Sequence, residues 1–172
     1  MADNRELVKQ AKLGKKEAFA ALYETVYEDM YRFALYVLKD REDAEDAVAE
    51  AVADAFESIW KLREEDAFQA WIFRILSNKC KRKLKEYTKR EYSYEEKEQS
   101  LEKENSKTED IAHAIHVKDA FYSLEEEERY MIALQVFGGY KSREIAGLLH
   151  KNHNTVRSQI SRAFKKMKEK LD

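Results

Sequence analysis

The chain has 172 residues, which is enough for one domain or two small ones. Its hydrophobic content of 44% supports a packed core, and its charged content of 38% indicates long solvated helix faces. The single cysteine, Cys80, excludes an intramolecular disulfide framework. No apolar stretch approaches the roughly 18 residues of a membrane-spanning helix. We therefore expect a cytoplasmic protein without membrane insertion.

Apolar residues recur at helical spacing along the chain, and no alternating strand pattern appears, so the predicted fold is all-α. The absence of proline and the presence of only four glycines favour uninterrupted helices. The elements predicted in the first half are a helix over 3–13, a turn at Gly14, a helix with an apolar stripe over 19–37, a third helix capped by Asp43, a loop over 60–67, and a fourth helix from Phe68 to about Tyr87.

Charge is strongly segregated along the first half of the chain. Positions 40–66 contain eleven acidic and three basic residues, whereas positions 74–90 contain eight basic residues and one acid, Glu86. An acidic helix indicates a basic partner, and a basic run indicates contact with a polyanion. Ordinary solvated helix faces are the alternative interpretation of each run.

The segment 91–112 differs from its surroundings in composition. It contains eight acidic and three basic residues, and between positions 91 and 110 its only large aliphatic residue is Leu101. This composition predicts a flexible acidic linker. We therefore predict two small helical domains, 1–90 with four helices and 113–172, each near the minimum size for a core of its own.

Residues 140–171 have the pattern of a helix-turn-helix motif. A short helix over 142–149 is followed by four residues that suit a turn, and Asn152 is the predicted N-cap of a longer helix. The second helix of such a motif can enter a DNA major groove, although a helical hairpin with a solvated basic face is the alternative. The apolar stripe predicted for this helix comprises Val156, Ile160, Ala163, Phe164, Met167 and Leu171. Its opposite face carries Asn154, Arg157, Ser158, Ser161, Lys165 and Lys168.

Sequence motifs in both halves resemble the extracytoplasmic-function class of bacterial RNA polymerase sigma factors. The acidic segment DAEDAV at 43–48 with Glu50, and FQAWIFRI at 68–75 with Asn78, are similar to the family's region 2. In the second half, EIA at 144–146, TVRS at 155–158 and SRA at 161–163 are similar to its region 4. The second set recurs in other bacterial helix-turn-helix regulators, whereas both sets in this order are specific.

The resemblance implies an all-α sigma factor whose first domain is region 2-like and whose second is a region 4-like helix-turn-helix. Such a protein binds core RNA polymerase, on the coiled coil of the largest subunit and on the flap, and directs it to promoter DNA. The first domain opens the promoter, and an anti-sigma factor is an expected partner. The implied polymerase-binding residues are Asp43, Asp46, Glu50 and Asp54. Those implied for the downstream promoter element are Trp60, Lys61, Arg63, Asn78, Lys79, Arg82 and Lys83. Those implied for the upstream element are Asn154, Thr155, Arg157, Ser158, Ser161, Arg162 and Lys165.

Two other classes of protein compete with this interpretation. A stand-alone helix-turn-helix regulator would not need the acidic helix or the module over 60–90. A metalloprotein or enzyme is suggested only by the pairs His113/His116 and His150/His153, and no carboxylate cluster joins either pair. The sequence has no glycine-rich phosphate loop and no nucleophile motif. We therefore expect no cofactor, no metal and no enzymatic activity.

Overall fold

The computed structural model describes residues 3–91 and 108–172, and every regular element in those two ranges is helical. The all-α prediction is therefore confirmed. The chain divides into two compact units, Met1–Gln99 and Ser100–Asp172. The division falls inside the predicted linker, of which positions 92–107 lie outside the described residues.

The first unit is built around its second helix, which packs against the other three. Phe33 of this helix is fully buried against Phe73, with ring centroids 5.8 Å apart. The large side chains buried with them include Leu22, Met30 and Ile72. The elements are α1 (Asn4–Lys12), α2 (Lys16–Leu38), α3 (Arg41–Ser58) and α4 (Phe68–Glu91), with 3₁₀ turns Ile59–Lys61 and Glu65–Ala67 between α3 and α4.

The structure corrects three boundaries in this unit. Asp40, not Asp43, is the N-cap of α3, and its side chain accepts a hydrogen bond from the backbone N–H of Asp43 at 2.9 Å. The predicted loop over 60–67 contains parts of two 3₁₀ turns. Helix α4 continues one turn beyond Tyr87, because three of the four residues that follow, Lys89, Arg90 and Glu91, are good helix formers.

The second unit contains the predicted helix-turn-helix. Its helices are α5 (Thr108–Tyr122), α6 (Glu126–Val136), α7 (Ser142–Leu149) and α8 (His153–Leu171), so α5 begins within the segment 91–112 that was predicted to be a linker. Asn152 caps α8 as predicted, and its side chain accepts from the N–H of Asn154 at 2.9 Å. A Cβ at Gly138 would lie 2.7 Å from the carbonyl oxygen of Leu134, so the turn after α6 requires glycine.

Some residues predicted to face a core are exposed. In α8, Val156, Ile160 and Ala163 are buried, but Phe164 and Leu171 are each 41% exposed. Phe164 lies at the edge of the apolar stripe by helical phase, and Leu171 lies in the last turn, where packing is incomplete. Phe56 of α3 and Ile115 of α5 are also partly exposed, at 41% and 45%.

Candidate functional site

One side of α8 carries all the residues predicted to contact the upstream promoter element. By helical phase these residues lie opposite the buried Val156, Ile160 and Ala163. The seven are all exposed: Asn154, Thr155, Arg157, Ser158, Ser161, Arg162 and Lys165. Five of them line one open groove, namely Asn154, Arg157, Ser158, Ser161 and Arg162. The fold therefore brings the whole predicted set to one surface.

Internal contacts on this surface are few and weak. Arg162 donates from Nε to the carbonyl oxygen of Ser158 at 3.3 Å, and the Lys165 ammonium lies 4.0 Å from Glu169. Within the described residues Arg157 has no hydrogen-bond or ion-pair partner. It lies in the second turn of α8. Its guanidinium donors are therefore available to an external acceptor.

In the first unit, acidic residues of α3 form ion pairs with basic residues of α4. Lys79 Nζ lies 2.5 Å from Asp54 and 3.8 Å from Glu50. Arg82 also donates to Glu50. The Lys79 side chain is only 17% exposed. Two residues predicted to bind polymerase are thus paired, within the free chain, with two residues predicted to bind DNA.

A third ion pair of this kind joins the first turn of α3 to a later turn of α4. Lys83, whose side chain is 13% exposed, lies 3.3 Å from Asp43. The hydroxyl of Tyr87 donates to the other carboxylate oxygen of Asp43. Burial raises the pKa of Tyr87, and the hydrogen bond to Asp43 raises it further, so the phenol stays a neutral donor. Asp43 and Lys83 therefore stabilise the packing of α3 on α4.

The outward side of α4 carries cations that the sequence interpretation did not select. Arg74, Lys85 and Lys89 are exposed and have no partner within the described residues. Asn78 is exposed on the same side by helical phase. Together these four residues form the outward stripe of α4. They follow one another at intervals of four, seven and four residues, and this helical spacing is the sequence signal that could have identified the stripe.

Lys81 is partly buried and lies one helical turn before the exposed Lys85. Burial lowers the pKa of Lys81, and the like charge of Lys85 lowers it further. On the α3 side, Asp46 is exposed and, within the described residues, has no partner, so it is the one predicted polymerase-binding acid that is unpaired.

The segment between α3 and α4 presents an aromatic side chain to solvent. Trp60 is 64% exposed, and Lys61 Nζ lies 5.3 Å from the centroid of its ring. Ile59 and Leu62, on either side of them, are each 4% exposed and anchor the segment in the core. Arg63 is exposed. Phe68 is buried, whereas Trp71 is half-buried.

The described ranges contain neither a cluster of metal-ligating side chains nor a membrane-spanning helix. No group of three or more His, Cys, Asp or Glu side chains among residues 3–91 and 108–172 is placed to hold a metal ion. No helix of the part described here combines the length and the apolar character needed to cross a membrane.

Residues 22–90 match Sigma-70 region 2, and residues 106–167 match Sigma-70 region 4. The chain therefore belongs to the sigma-70 family of RNA polymerase sigma factors. The two matches together take in most of the chain and fall on the two units of the fold. The extracytoplasmic-function resemblance and the transcription-initiation function that it implied are confirmed, and the stand-alone regulator is not favoured.

Individual relatives agree with the family assignment. The chain is 29% identical over 161 residues to RNA polymerase sigma factor SigV of Bacillus subtilis, covering 91% of this chain and 95% of that protein. It is 26% identical over 160 residues to the ECF RNA polymerase sigma factor SigM of Mycobacterium tuberculosis, covering 93% and 80%. A solved structure of the sigma factor RpoE from Bartonella quintana, in complex with the anti-sigma factor NepR, has a similar fold. The TM-score is 0.70 at 20% identity, covering 89% of this chain and 96% of that one.

Proposed function

We propose that this sigma factor reads the upstream promoter element with α8, captures a base of the downstream element with the segment 60–67, and docks on core RNA polymerase through α3. The observation that carries the proposal is the surface of α8. All seven polar residues predicted for DNA contact are exposed on one side, and the buried residues are on the other.

The N-terminal residues of α8 are assigned to base reading, and the residues two turns farther on are assigned to phosphate contact. The N-terminal residues of a recognition helix reach base edges, and arginine and asparagine can make two hydrogen bonds to one base. Arg157, which has no internal partner among the described residues, and Asn154 occupy that end. Lys165 lies two turns farther on, where phosphates that set the register of binding are the expected neighbours.

Trp60 is the proposed stacking surface for a flipped base of the downstream element. A flipped base needs an aromatic wall and polar groups at its edge. The indole ring is exposed, and Lys61 beside it and Arg63 supply positive charge close to the strand's phosphates. Stacking of this kind is typically worth about 1–3 kcal/mol per base.

The outward stripe of α4 is the proposed track for the phosphates of the captured strand. Arg74, Lys85 and Lys89, together with Asn78, are exposed on the side of α4 away from the core. Lys79 and Lys83, which the sequence interpretation assigned to this role, are largely buried against α3. We therefore assign them to the packing of α3 on α4. Arg82, half-exposed and paired with Glu50, belongs to the boundary between the two surfaces.

Asp46 is the proposed first contact with the basic coiled coil of the largest polymerase subunit. It is exposed and unpaired among the described residues, so no internal ion pair opposes docking there. Glu50 and Asp54 can join the interface only by exchanging Lys79 and Arg82 for cations of the polymerase. Complementary charge of this kind contributes to encounter rate and register more than to affinity.

Further partners follow from the family. The C-terminal unit is proposed to contact the polymerase flap, and an anti-sigma factor is proposed as a regulator. In support, a sigma factor of similar fold has been solved in complex with its anti-sigma factor. We propose a cytoplasmic protein with no cofactor and no catalytic activity of its own.

Selection of active promoters from a randomised library tests this division of labour. Holoenzymes would be assembled with wild type, Arg157→Ala, Trp60→Ala and, as a control on α8 with the same loss of charge, Lys170→Ala. Arg157→Ala should relax the preference at one upstream position, at a cost of about 1–3 kcal/mol. Trp60→Ala should relax the downstream element alone, and Lys170→Ala should change neither element.

A uniform loss of transcription would contradict the proposed roles of Arg157 and Trp60. If Arg157→Ala and Trp60→Ala lower transcription from all promoters alike, with unchanged base preferences, neither residue reads sequence. Docking is tested separately by titrating labelled protein with core polymerase. Asp46→Lys should weaken that binding while the isolated chain keeps its helicity, and unchanged binding would remove α3 from the interface.

A further inference from the structure

Helix α1 lies outside the residues that match Sigma-70 region 2, which begin at position 22. It nevertheless packs on both 3₁₀ turns of the connection between α3 and α4, which contains the segment 60–67. Val8 is fully buried and Ala11 is 5% exposed, so one side of α1 belongs to the core of the first unit. Its polar residues are therefore held at fixed positions relative to the segment that contains Trp60.

Two side chains of α1 contact this segment directly. Arg5 donates from Nε to Asp66 Oδ1 at 2.6 Å, and its terminal nitrogen Nη2 donates to the second carboxylate oxygen. Lys12 donates from Nζ to the carbonyl oxygen of Leu62 at 2.8 Å. The hydrogen bond from Arg5 lowers the pKa of Asp66, so the ion pair is complete at neutral pH.

The two contacts hold the segment at separate points. Arg5 and Lys12 are seven residues apart, which is roughly 10 Å along a helix. The segment is held at Leu62 and at Asp66. In the sequence, Arg63 lies between these two points and Trp60 lies two residues before the first of them. Two short 3₁₀ turns have weak internal hydrogen bonding, so the position of such a segment depends on what it packs against.

We propose that α1 fixes the position of the base-capturing segment, and that Arg5 and Lys12 are positioning residues for recognition of the downstream promoter element. The inference rests on the proposed role of Trp60 in base capture. A recognition site works only when its groups are held within about 0.5 Å of the productive geometry. The contacts from α1 hold both the backbone at Leu62 and the side chain of Asp66.

The test measures promoter discrimination by the holoenzyme with variants of α1. Discrimination is the ratio of open-complex formation on the promoter selected by wild type to that on the same promoter with its downstream element changed. Lys12→Met keeps the aliphatic stem and removes the contact to Leu62. Lys9→Met is the matched control, because Lys9 is an exposed lysine of the same helix with no partner within the described residues.

Lys12→Met should lower discrimination by about tenfold, since a hydrogen bond from a charged donor is lost. Arg5→Asp should lower it by about fivefold or less, because exposed ion pairs are weak. The double variant Arg5→Asp with Asp66→Arg restores the pair in reverse and should recover most of the loss. Affinity for core polymerase and discrimination at the upstream element should stay within about twofold of wild type.

Each contrary outcome has a separate meaning. If wild type discriminates at the downstream element but Lys12→Met and Lys9→Met behave alike, α1 does not position the segment and the inference is wrong. If all elements and core binding weaken together, α1 only stabilises the fold, which also overturns the inference. If wild type itself shows no downstream discrimination, it is the proposed function of the segment that fails.

Discussion

Replacing Lys79 with methionine separates a structural role of this side chain from a DNA-binding role. Methionine keeps the apolar stem, so the change removes mainly the ammonium group. In the structure this group lies 2.5 Å from Asp54 and 3.8 Å from Glu50, and the side chain is 17% exposed. The sequence interpretation placed the same ammonium group on the promoter strand.

The expected loss in the free energy of unfolding follows from the solvent exposure of Lys79 and of its two partners, Asp54 and Glu50. Exposed ion pairs are worth about 0.2–1 kcal/mol. The pair with Asp54 should reach the upper end of that range, because Lys79 is largely buried although Asp54 is 51% exposed. Glu50 keeps Arg82 as a second partner, so its loss is smaller. We expect Lys79→Met to lower the free energy of unfolding by about 1 kcal/mol, and a double-mutant cycle with Asp54→Asn to give a coupling of about 0.5–1 kcal/mol.

Urea unfolding followed by tryptophan fluorescence measures this coupling in the full chain. Both tryptophans, Trp60 and Trp71, belong to the first unit, so the signal reports on that unit alone. Lys85→Met is the matched control on the outward side of α4, and it should change stability by less than about 0.5 kcal/mol. The reasoning is refuted if Lys79→Met and Asp54→Asn add within about 0.3 kcal/mol.

Four further outcomes are expected. Ile160→Ala, at a side chain that is 5% exposed, should lower the free energy of unfolding of the second unit by about 2–5 kcal/mol, whereas Phe164→Ala should lower it much less. Circular dichroism during urea unfolding measures both losses. Equal losses would contradict the burial pattern. The pKa of the buried Cys80 is raised by burial to about 12, so the thiol should not react with an aromatic disulfide reagent in the native protein at pH 8. Because this pKa is raised in the folded state, the contribution of Cys80 to stability should be full below about pH 9 and decline as the pH rises toward 12; a stability profile unchanged by Cys80→Ala would contradict this. Lys165→Ala should weaken binding to all promoters alike and reduce the log–log salt slope by about one, and a change in base preference would instead make Lys165 a base reader.

Local features of the fold were predictable because they depend on residues close in sequence. The 3.6-residue spacing of apolar side chains gave the helices, and Asn152 was recognisable as a cap because the turn preceding it fixes its position. Asp40 and Asp43 show the limit of this reasoning. Both are good capping residues at the start of α3, and the choice between them depends on where α2 ends, at the left-handed Lys39.

The charge pairs between α3 and α4 were not predictable in the same way. Asp54 and Lys79 are 25 positions apart, and whether they meet depends on how the two helices pack and in which register. In the sequence, the acids and the bases therefore looked like surfaces for two different partners. Helical phase alone would have identified the outward stripe of Arg74, Asn78 and Lys85, since this spacing needs no tertiary information.

Transcription by core polymerase is the measurement that tests the central claim most directly. Core polymerase would be incubated with a randomised promoter library in the presence and in the absence of the full chain, and the run-off transcripts would be sequenced. The account predicts that transcripts with a shared start site appear only when the chain is present, and that their templates share two sequence elements at a fixed spacing. Transcripts that are the same with and without the chain would contradict it.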